Sequence, residues 1–566
     1  MEAKKISEHL SVSKQLSLAE VREAADAGFK SIIVNRPDGE GDDQPTFAEI
    51  NAEARKAGLE ARYIPVAPGK LSDAHVSDFA EALKALPTPV IGYCRTGTRT
   101  TTLWALSEAE RGGKSVPEIL ATGKAAGYDL SGVAARIANG GRVLTGTASE
   151  SHQIVVVGGG AAGIAVAASM LARTKDLDIV IIDPADVHYY QPGWTLVGAG
   201  IFTPEQTRRQ LDSLIPRGVK RIKAGVVAFD PDNNAVVLEG CRVVKYQWLV
   251  VAPGLKLNWA GVEGLPETLG KNGVTSNYRY DLAPYTWKLV NEFKGGTALF
   301  TQPPMPIKCA GAPQKAMYLS CDTWLDKGIL KGCNVEFLVA GPGLFGVADY
   351  VPPLMKYVER YGIQLSFGDN LIRIDGSAKT AWFKKTGKEG NSEIVERRFD
   401  MIHVVPPQTA PDFIRASALA ADSGWVSVDQ NTLKHTKYEN IYGLGDVVSA
   451  PNAKTAAAAR KQAPVVAENL LADMGKLDSR RRAIYDGYGS CPLTVERGKI
   501  VLAEFAYGGK RVPSFPSWLI DDLQPSRLAW FLKEKMLPPI YWQAMLKGRE
   551  PLAKPKHTTQ LEGKTS

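Results

Sequence analysis

The chain has 566 residues, 68 Lys and Arg against 60 Asp and Glu, a formal net charge of +8 and 44% hydrophobic residues. At roughly 100–200 residues per domain this is a multidomain protein, and its ordinary composition excludes disorder, collagen and coiled coil as the main state. Basic residues do not cluster with aromatics except near the C-terminus, so no nucleic-acid partner is expected. The cysteines (Cys94, Cys241, Cys309, Cys321, Cys333 and Cys491) are too scattered for a disulfide framework and have no zinc spacing, so no metal site is expected. They read one at a time as reactive thiols. The first residues, MEAKKISEHLSVSKQLS, have no apolar core of a secretory signal, which sets the expected location as cytoplasmic.

Short apolar strands (Ser31–Val34, Ala61–Val66, Pro89–Tyr93) alternate with helical stretches such as Asp73–Leu86, which predicts an α/β domain over residues 1–138. The Gly-, Ser- and Thr-rich stretch 139–152 reads as a linker. Between the strand ending at Tyr93 and a helix from Thr101 lies Cys94-Arg95-Thr96-Gly97-Thr98-Arg99-Thr100. A tight polar loop between strand and helix makes an anion nest, its backbone N–H groups facing the loop. With Arg95 and Arg99 nearby, Cys94 is expected to be largely thiolate, suited to attack on a phosphoester or to carrying a persulfide. The loop resembles the rhodanese pattern Cys-Arg-x-Gly-x-Arg/Thr. It also resembles the phosphatase-like sulfurtransferase domains fused to sulfur-metabolism enzymes, which carry a stretch like Arg36-Pro37-Asp38-Gly39-Glu40. A tyrosine-phosphatase loop needs His and Arg where Tyr93 and Thr100 stand, so the resemblance implies sulfane-sulfur transfer with Cys94, Arg95 and Arg99 as catalytic residues.

Ile154–Ala172 is uncharged for 19 residues, but its glycines give it a better reading than a membrane span. A buried strand (Ile154–Val157) leads into Gly158-Gly159-Gly160-Ala161-Ala162-Gly163 and a small-residue helix. A second strand ends at Asp183, twenty residues past Gly163. This is the dinucleotide fingerprint in full context: Gly158 turns the chain, Gly160 lets the backbone approach the pyrophosphate, Gly163 lets helix meet strand, Asp183 accepts from ribose hydroxyls, and Ala162 is a further expected cofactor contact. Tyr246–Gly254 and Ile441–Asp446 resemble the returning strand and closing motif of two-dinucleotide flavoproteins, so the cofactor expected is FAD, with Gly254, Gly445 and Asp446 among its contacts. These motifs divide the region into FAD-binding parts at 153–272 and 406–510 around a second nucleotide-type domain at 273–405. There the first strand, Gly296–Thr301, opens onto Gln302-Pro303-Pro304, and prolines have no N–H to offer a pyrophosphate, so NAD is not expected to bind. Gly341-Pro342-Gly343-Leu344-Phe345-Gly346 fits the glycine spacing, but it follows the second strand and holds a proline and a bulky phenylalanine.

Further stretches resemble the sulfide:quinone oxidoreductases, nearest to their mitochondrial-type branch, over about residues 152–549. They are His188–Gly200, Ile307–Lys315, His403–Pro407, Lys454–Ala458, Tyr488–Leu493 and Leu502–Phe505. The resemblance implies an α/β fold of the glutathione-reductase-like FAD superfamily, with two Rossmann-type domains behind the phosphatase-like front domain. It also implies sulfide oxidation at a cysteine disulfide beside the flavin, electron transfer to a membrane quinone, and a C-terminal membrane-associating tail at 511–566. Cys309 matches the flavin-proximal cysteine; Asp446 and Lys454 match positions by the ribityl chain and the pyrimidine end. The branch has its second redox cysteine just after the closing Gly-Asp, where this chain has Val447. Three substitutes are conceivable: Cys321, twelve residues past Cys309; Cys94 as a mobile partner; or Cys309 alone, with the last two favoured. Cys491 keeps a family motif and is read as structural, as are Cys241 and Cys333.

In the tail, Arg527–Lys547 mixes Trp, Tyr, Leu and Met with lysines. It predicts two amphipathic helices broken at Pro538-Pro539, lying on a membrane surface or packing on the protein or in a homodimer. The expected partners are therefore sulfide or persulfides, membrane quinone, a thiol acceptor such as glutathione and the cytoplasmic face of a membrane. An NAD(P)H-dependent persulfide or disulfide reductase and a flavin redox sensor are the alternative readings.

Overall fold

Four-residue strands that are buried on both faces, such as Ser31–Val34 (SIIV) and Val90–Tyr93 (VIGY), belong at the centre of a parallel sheet. The computed structural model, which describes residues 1–42, 44–144, 150–387, 390–451 and 453–559, places them so. The front sheet runs Ala3–Lys5, Leu10–Ser13, Val90–Tyr93, Ser31–Val34, Glu60–Tyr63, with the first pair antiparallel and the rest parallel. Helices Leu18–Asp26, Phe47–Lys56 and Asp73–Ala85 start at Ser17, Thr46 and Ser72, each in a reciprocal capping box three residues deep. The chain divides into two units: Met1–His152 with Ala224–Gln247 and Asp412–Gly424, and the remainder. The stretches 224–247 and 412–424 thus join the first unit, although the sequence reading set them inside the FAD-binding parts. Val226–Asp230 and Ala235–Leu238 form an antiparallel pair there. Of the predicted linker, 145–149 lie outside the described residues, and Glu150–Val157 is already strand.

The second unit holds two parallel sheets. One runs Lys220–Ile222, Ile179–Ile182, Ile154–Val157, Leu249–Val251, Ile441–Gly443. The other runs Val274–Thr275, Met401–His403, Gly296–Gln302, Cys333–Val339, Gln364–Phe367. Both belong to the doubly wound class. In the first, helix Ala161–Arg173 follows the fingerprint and packs against helix Ala456–Asp473. In the second, helix Ala312–Asp326 follows the central strand, while Phe345 of the glycine-spaced loop packs edge-on against Tyr350 and Phe505. A hairpin, Gly489–Glu496 with Lys499–Phe505, lies against helix Ala312–Asp326.

The tail differs from the sequence reading. Pro538 and Pro539 do not break it: they occupy the first turn of Leu537–Pro539, where a missing N–H costs nothing, and wider π-type turns at Leu532–Met536 and Ile540–Ala544 flank them. Tyr541 and Trp542 are buried against His188 and Tyr190, whereas Leu528, Phe531 and Met536 are 43%, 52% and 44% exposed. Among the described residues no helix is long and apolar enough to cross a membrane. Residues 560–566 of the predicted tail lie outside the described residues.

Candidate active site

In the first unit, Cys94 follows the central strand, and its buried Sγ accepts the Gly97 N–H at 3.1 Å. Gly97 has φ +91°, and a β-carbon there would lie 2.2 Å from the Tyr128 hydroxyl, so only glycine closes this turn. The helix Thr98–Arg111 starts at this point and aims its free N–H groups at the loop. Arg99 donates to Glu40 at 2.7 Å and to the Val66 carbonyl at 2.7 Å, and Arg36 donates to the same Glu40 oxygen at 2.9 Å. These bonds, that from Arg99 foremost, hold the Glu40 carboxyl below its usual range. The Arg36–Glu40 stretch thus braces the loop through Arg99, while Arg95 is exposed.

In the second unit the fingerprint has the geometry that a pyrophosphate needs. A β-carbon at Gly158 would strike the Ala252 carbonyl oxygen at 2.4 Å, and one at Gly163 the Gly158 carbonyl oxygen at 1.9 Å, whereas Gly160 has nothing within 4 Å. Asp183 accepts the Gly159 N–H at 2.6 Å, which fixes its carboxylate at the strand end. Gly445 (φ +81°) would bring a β-carbon to 2.9 Å from the Ala162 side chain and donates its N–H to Gln462 at 2.7 Å, so the closing motif abuts the fingerprint helix. Gly254 turns the returning strand with φ +76°. Burial raises the Asp446 carboxyl. Lys454 donates to the carbonyls of Asp446 (2.7 Å) and Val448 (2.9 Å) and lies 3.9 Å from the Trp425 ring; burial lowers it to about 8. A close-approach cradle, an anchored acid beyond the second strand and a half-buried acid beside the lysine-bearing loop together fit a dinucleotide.

The segment around Cys309 is held from three sides, by the predicted Lys454 and by two groups that sequence patterns did not single out, Gln408 and Tyr278. Gln408 accepts the Lys308 N–H at 2.8 Å, the Lys454 carbonyl accepts the Cys309 N–H at 2.8 Å, and Tyr278 donates its hydroxyl to the Lys308 carbonyl at 3.0 Å. Cys309 has φ +48°, a left-handed conformation rare outside glycine, of the kind that surrounding bonds impose at functional sites. Its Sγ accepts from Lys315 Nζ at 3.2 Å and lies 3.8 Å from Cys491 Sγ. A hydrogen bond from Cys491, the Lys315 ammonium and the nearby Lys533 hold Cys309 well below the normal thiol range, against its burial. Burial beside another cation keeps Lys533 far below a normal amine, and it donates to Thr494 Oγ1 at 2.9 Å and to the Pro492 carbonyl at 3.2 Å. Lys308, lowered to about 8 by burial, donates to Gln191 at 2.7 Å.

Of the predicted site residues, then, the fingerprint glycines, Ala162, Gly445, Asp446, Lys454 and Cys309 converge in one unit, and Cys94, Arg95 and Arg99 share the other. The two arginines split in role: Arg99 is committed to Glu40 and Arg95 stays open. The correction concerns the thiols. Cys491, read as structural, is beside Cys309, while Cys321 is buried in the core of helix Ala312–Asp326.

A thiolate and a second thiol, on a pair of doubly wound sheets with a dinucleotide cradle, define a dinucleotide-dependent thiol oxidoreductase. Comparisons bear on which kind. Residues 152–290 match the family model described as pyridine nucleotide-disulphide oxidoreductase, and residues 2–111 match the phosphatase-like domain of beta-lactamase hydrolase-like protein. The mitochondrial sulfide:quinone oxidoreductase of Dictyostelium discoideum is 43% identical over 70% of this chain and 86% of its own, and that of Mus musculus is 36% identical over 71% and 88%. The beta-lactamase hydrolase-like protein of Xylella fastidiosa is 38% identical over 22% of this chain and 29% of its own. The crystal structure of the Aquifex aeolicus sulfide:quinone oxidoreductase shares the fold at TM-score 0.58 and 20% identity, covering 71% of this chain and 92% of that one. The chain belongs to the sulfide:quinone oxidoreductase family, with a phosphatase-like domain at its front.

Proposed function

We propose that this protein oxidises sulfide, or a persulfide, at Cys309, passes the electron pair to membrane quinone, and handles the resulting sulfane sulfur at Cys94. The observation that carries the reading is Cys309 Sγ, which accepts from Lys315 Nζ at 3.2 Å on a backbone bonded directly to Lys454. FAD, when bound, supplies a two-electron acceptor for the thiol chemistry and a donor to quinone. Gly158, Gly160, Ala162 and Gly163 would border its pyrophosphate, Asp183 and Gly254 its adenosine side, and Gly445, Asp446 and Lys454 its ribityl and pyrimidine side. On this reading residues 153–272 and 406–510 supply the two FAD-binding parts and 273–405 the second dinucleotide-type domain, which does not take NAD.

The chain's own residues do the rest. Lys315 holds negative charge on Cys309 Sγ, Tyr278 and Gln408 fix its backbone, and the half-buried Lys308 adds a second cation on the same segment. Cys94, at the mouth of an anion nest, accepts sulfane sulfur and releases it to a small thiol such as glutathione, with Arg95 and the Glu40-braced Arg99 attracting the anionic carrier. The exposed Leu528, Phe531 and Met536 support seating on the cytoplasmic face of a membrane, where quinone resides. A homodimer covering the same side chains is distinguished by oligomeric state in detergent.

The test is anaerobic addition of sulfide to the flavin-loaded protein, followed by decylubiquinone. Bleaching by sulfide and recovery with quinone are expected, and Cys309→Ser should abolish the bleaching. Bleaching by NADH without sulfide would replace this reading with a nicotinamide-dependent reductase.

A further inference from the structure

Cys491 is the third residue of strand Gly489–Glu496, paired with Ala503 of the next strand, and is 2% exposed. A buried cysteine in a hairpin needs no special explanation by itself. Its surroundings do. Its Sγ is 3.8 Å from Cys309 Sγ, a residue 182 positions away in sequence and held at positive φ. The approach exists because residue 311 is glycine: a β-carbon there would lie 2.4 Å from Cys491 Sγ. Lys533 fastens the same strand by bonding Thr494 and the Pro492 carbonyl. Lys315 supplies a buried ammonium at the other sulfur. The other two cysteines of this unit lie near each other, but no sulfur–sulfur contact or buried ammonium marks them: Cys321 packs among Trp324 and Tyr318 and Cys333 bonds the Ile329 carbonyl, while the position after Gly445-Asp446 is the buried Val447.

We infer that Cys491 is the redox partner of Cys309, the two cycling between the dithiol seen here and a disulfide, and that Cys491 is the sulfur to which sulfide adds. The inference rests on the proposed sulfide oxidation and deepens it. Closing the disulfide brings the sulfurs to about 2.05 Å, a side-chain movement of under about 2 Å. In the first step HS⁻ attacks Cys491 Sγ of the disulfide: a sulfur–sulfur bond forms there, the Cys309–Cys491 bond breaks, and Cys309 leaves as the thiolate beside Lys315. Attack in this sense is favoured because the better-stabilised thiolate is the better leaving group. In the second, a thiolate acceptor takes the outer sulfur of the Cys491 persulfide, leaving the Cys491 thiolate. In the third, the two thiolates close to the disulfide and give up two electrons; FAD, when bound, would supply the two-electron acceptor, and the quinone of the proposed reaction is the final acceptor.

The experiment uses the full chain with its flavin. Anaerobic treatment with diamide, alkylation, and digestion without reductant should give one species joining the Cys309 and Cys491 peptides. After limiting sulfide, mass spectrometry should find one added sulfur on the Cys491 peptide. Cys491→Ser keeps a hydroxyl that donates to the Cys309 thiolate, so Cys309 should alkylate at pH 7 within about 3-fold of the wild-type rate. Sulfide:quinone turnover should fall by about 100-fold or more. A merely structural Cys491 predicts no cross-link and little change in turnover, and either result overturns the inference. Should the wild type fail to bleach with sulfide, the functional reading falls, and the diamide cross-link alone decides the pairing.

Discussion

Gly311→Ala isolates the geometry of the thiol pair without touching a sulfur. Gly311 has φ −86° and ψ −3°, which alanine adopts freely, so the substitution strains no backbone. The added β-carbon would lie 2.4 Å from Cys491 Sγ and 2.4 Å from Leu493 Cδ2, where ordinary contact begins at 3.4 Å. Both neighbours must therefore retreat by about 1 Å or the helix start must shift, in a close-packed region where such overfilling costs about 1–3 kcal/mol. Cys491 and Leu493 share one face of a strand whose partners, Ala503 and Val501, are fully buried, so the strand cannot absorb the push locally. Retreat of Cys491 is movement away from Cys309, opposite to what a disulfide needs. The diamide-driven cross-link should form at least about 10-fold more slowly, equivalent to about 1.4 kcal/mol, with both thiols still present on denaturation. Gly343→Ala, where nothing lies within 4 Å, should cross-link like the wild type. Wild-type cross-linking in Gly311→Ala would refute the claim that this glycine sets the approach of the two sulfurs.

Four other outcomes are expected. Lys315→Met removes a charged hydrogen bond worth about 1.5–3 kcal/mol, so the midpoint of Cys309 alkylation against pH should rise by about 1–2 units; an unmoved midpoint would remove Lys315 from thiolate stabilisation. His403 is fully buried, its Nε2 accepts the Asn277 N–H at 2.9 Å, and burial lowers it to about 4. The unfolded chain therefore binds a proton that the folded one refuses between about pH 6.5 and 4: stability is lost as pH falls through that window, by up to about 3 kcal/mol, and His403→Gln should flatten that slope in denaturant titrations. Cys94→Ser should stop transfer of sulfane sulfur from thiosulfate or a persulfide to glutathione, and persistence of transfer would exclude the loop from that role. Replacing Phe531 and Met536 together with Ser should reduce co-sedimentation with anionic lipid vesicles several-fold, whereas unchanged binding would assign the exposed side chains to another surface.

What the sequence shows and hides follows from the range of the forces involved. The fingerprint, the Cys94 loop and the closing Gly445-Asp446 were legible because each is a local device: a turn that only glycine can make, a strand feeding a helix, an acid at a fixed distance. The strands Ser31–Val34 and Ile179–Ile182 were legible because a strand buried on both faces is an unbroken apolar run. The bracing of Arg99 by Glu40 was half visible, since Arg36–Glu40 was marked by resemblance, but only the fold joins residues 59 apart in sequence. The prolines of the tail were misleading because proline is tolerated in the first turn of a helix and π-type turns can surround it, so a pair of them need not end a helical run. Tyr278 and Gln408 carry no local pattern at all, and the motif that Cys491 keeps says nothing of its partner. Each acts through long-range contacts on the Cys309 segment, and a motif scan weighs a residue by its neighbours in sequence.

The departure at Val447 and the approach of Cys491 form one argument about how the family's chemistry fits this chain. A fold of this class needs a second sulfur within reach of the first, but nothing in the chemistry prescribes the element that carries it. Here the hairpin carries it, and three local facts make the hairpin competent: a glycine where helix Ala312–Asp326 begins, a buried ammonium on that helix, and Lys533 fastening the strand from the tail. Lys533 lies on the same helical run that turns Phe531 and Met536 outward. One short segment thus fixes the strand of the thiol pair with its inner side and offers apolar side chains on its outer side, so the surface proposed to meet the membrane and the strand proposed to receive sulfide are parts of one packed unit.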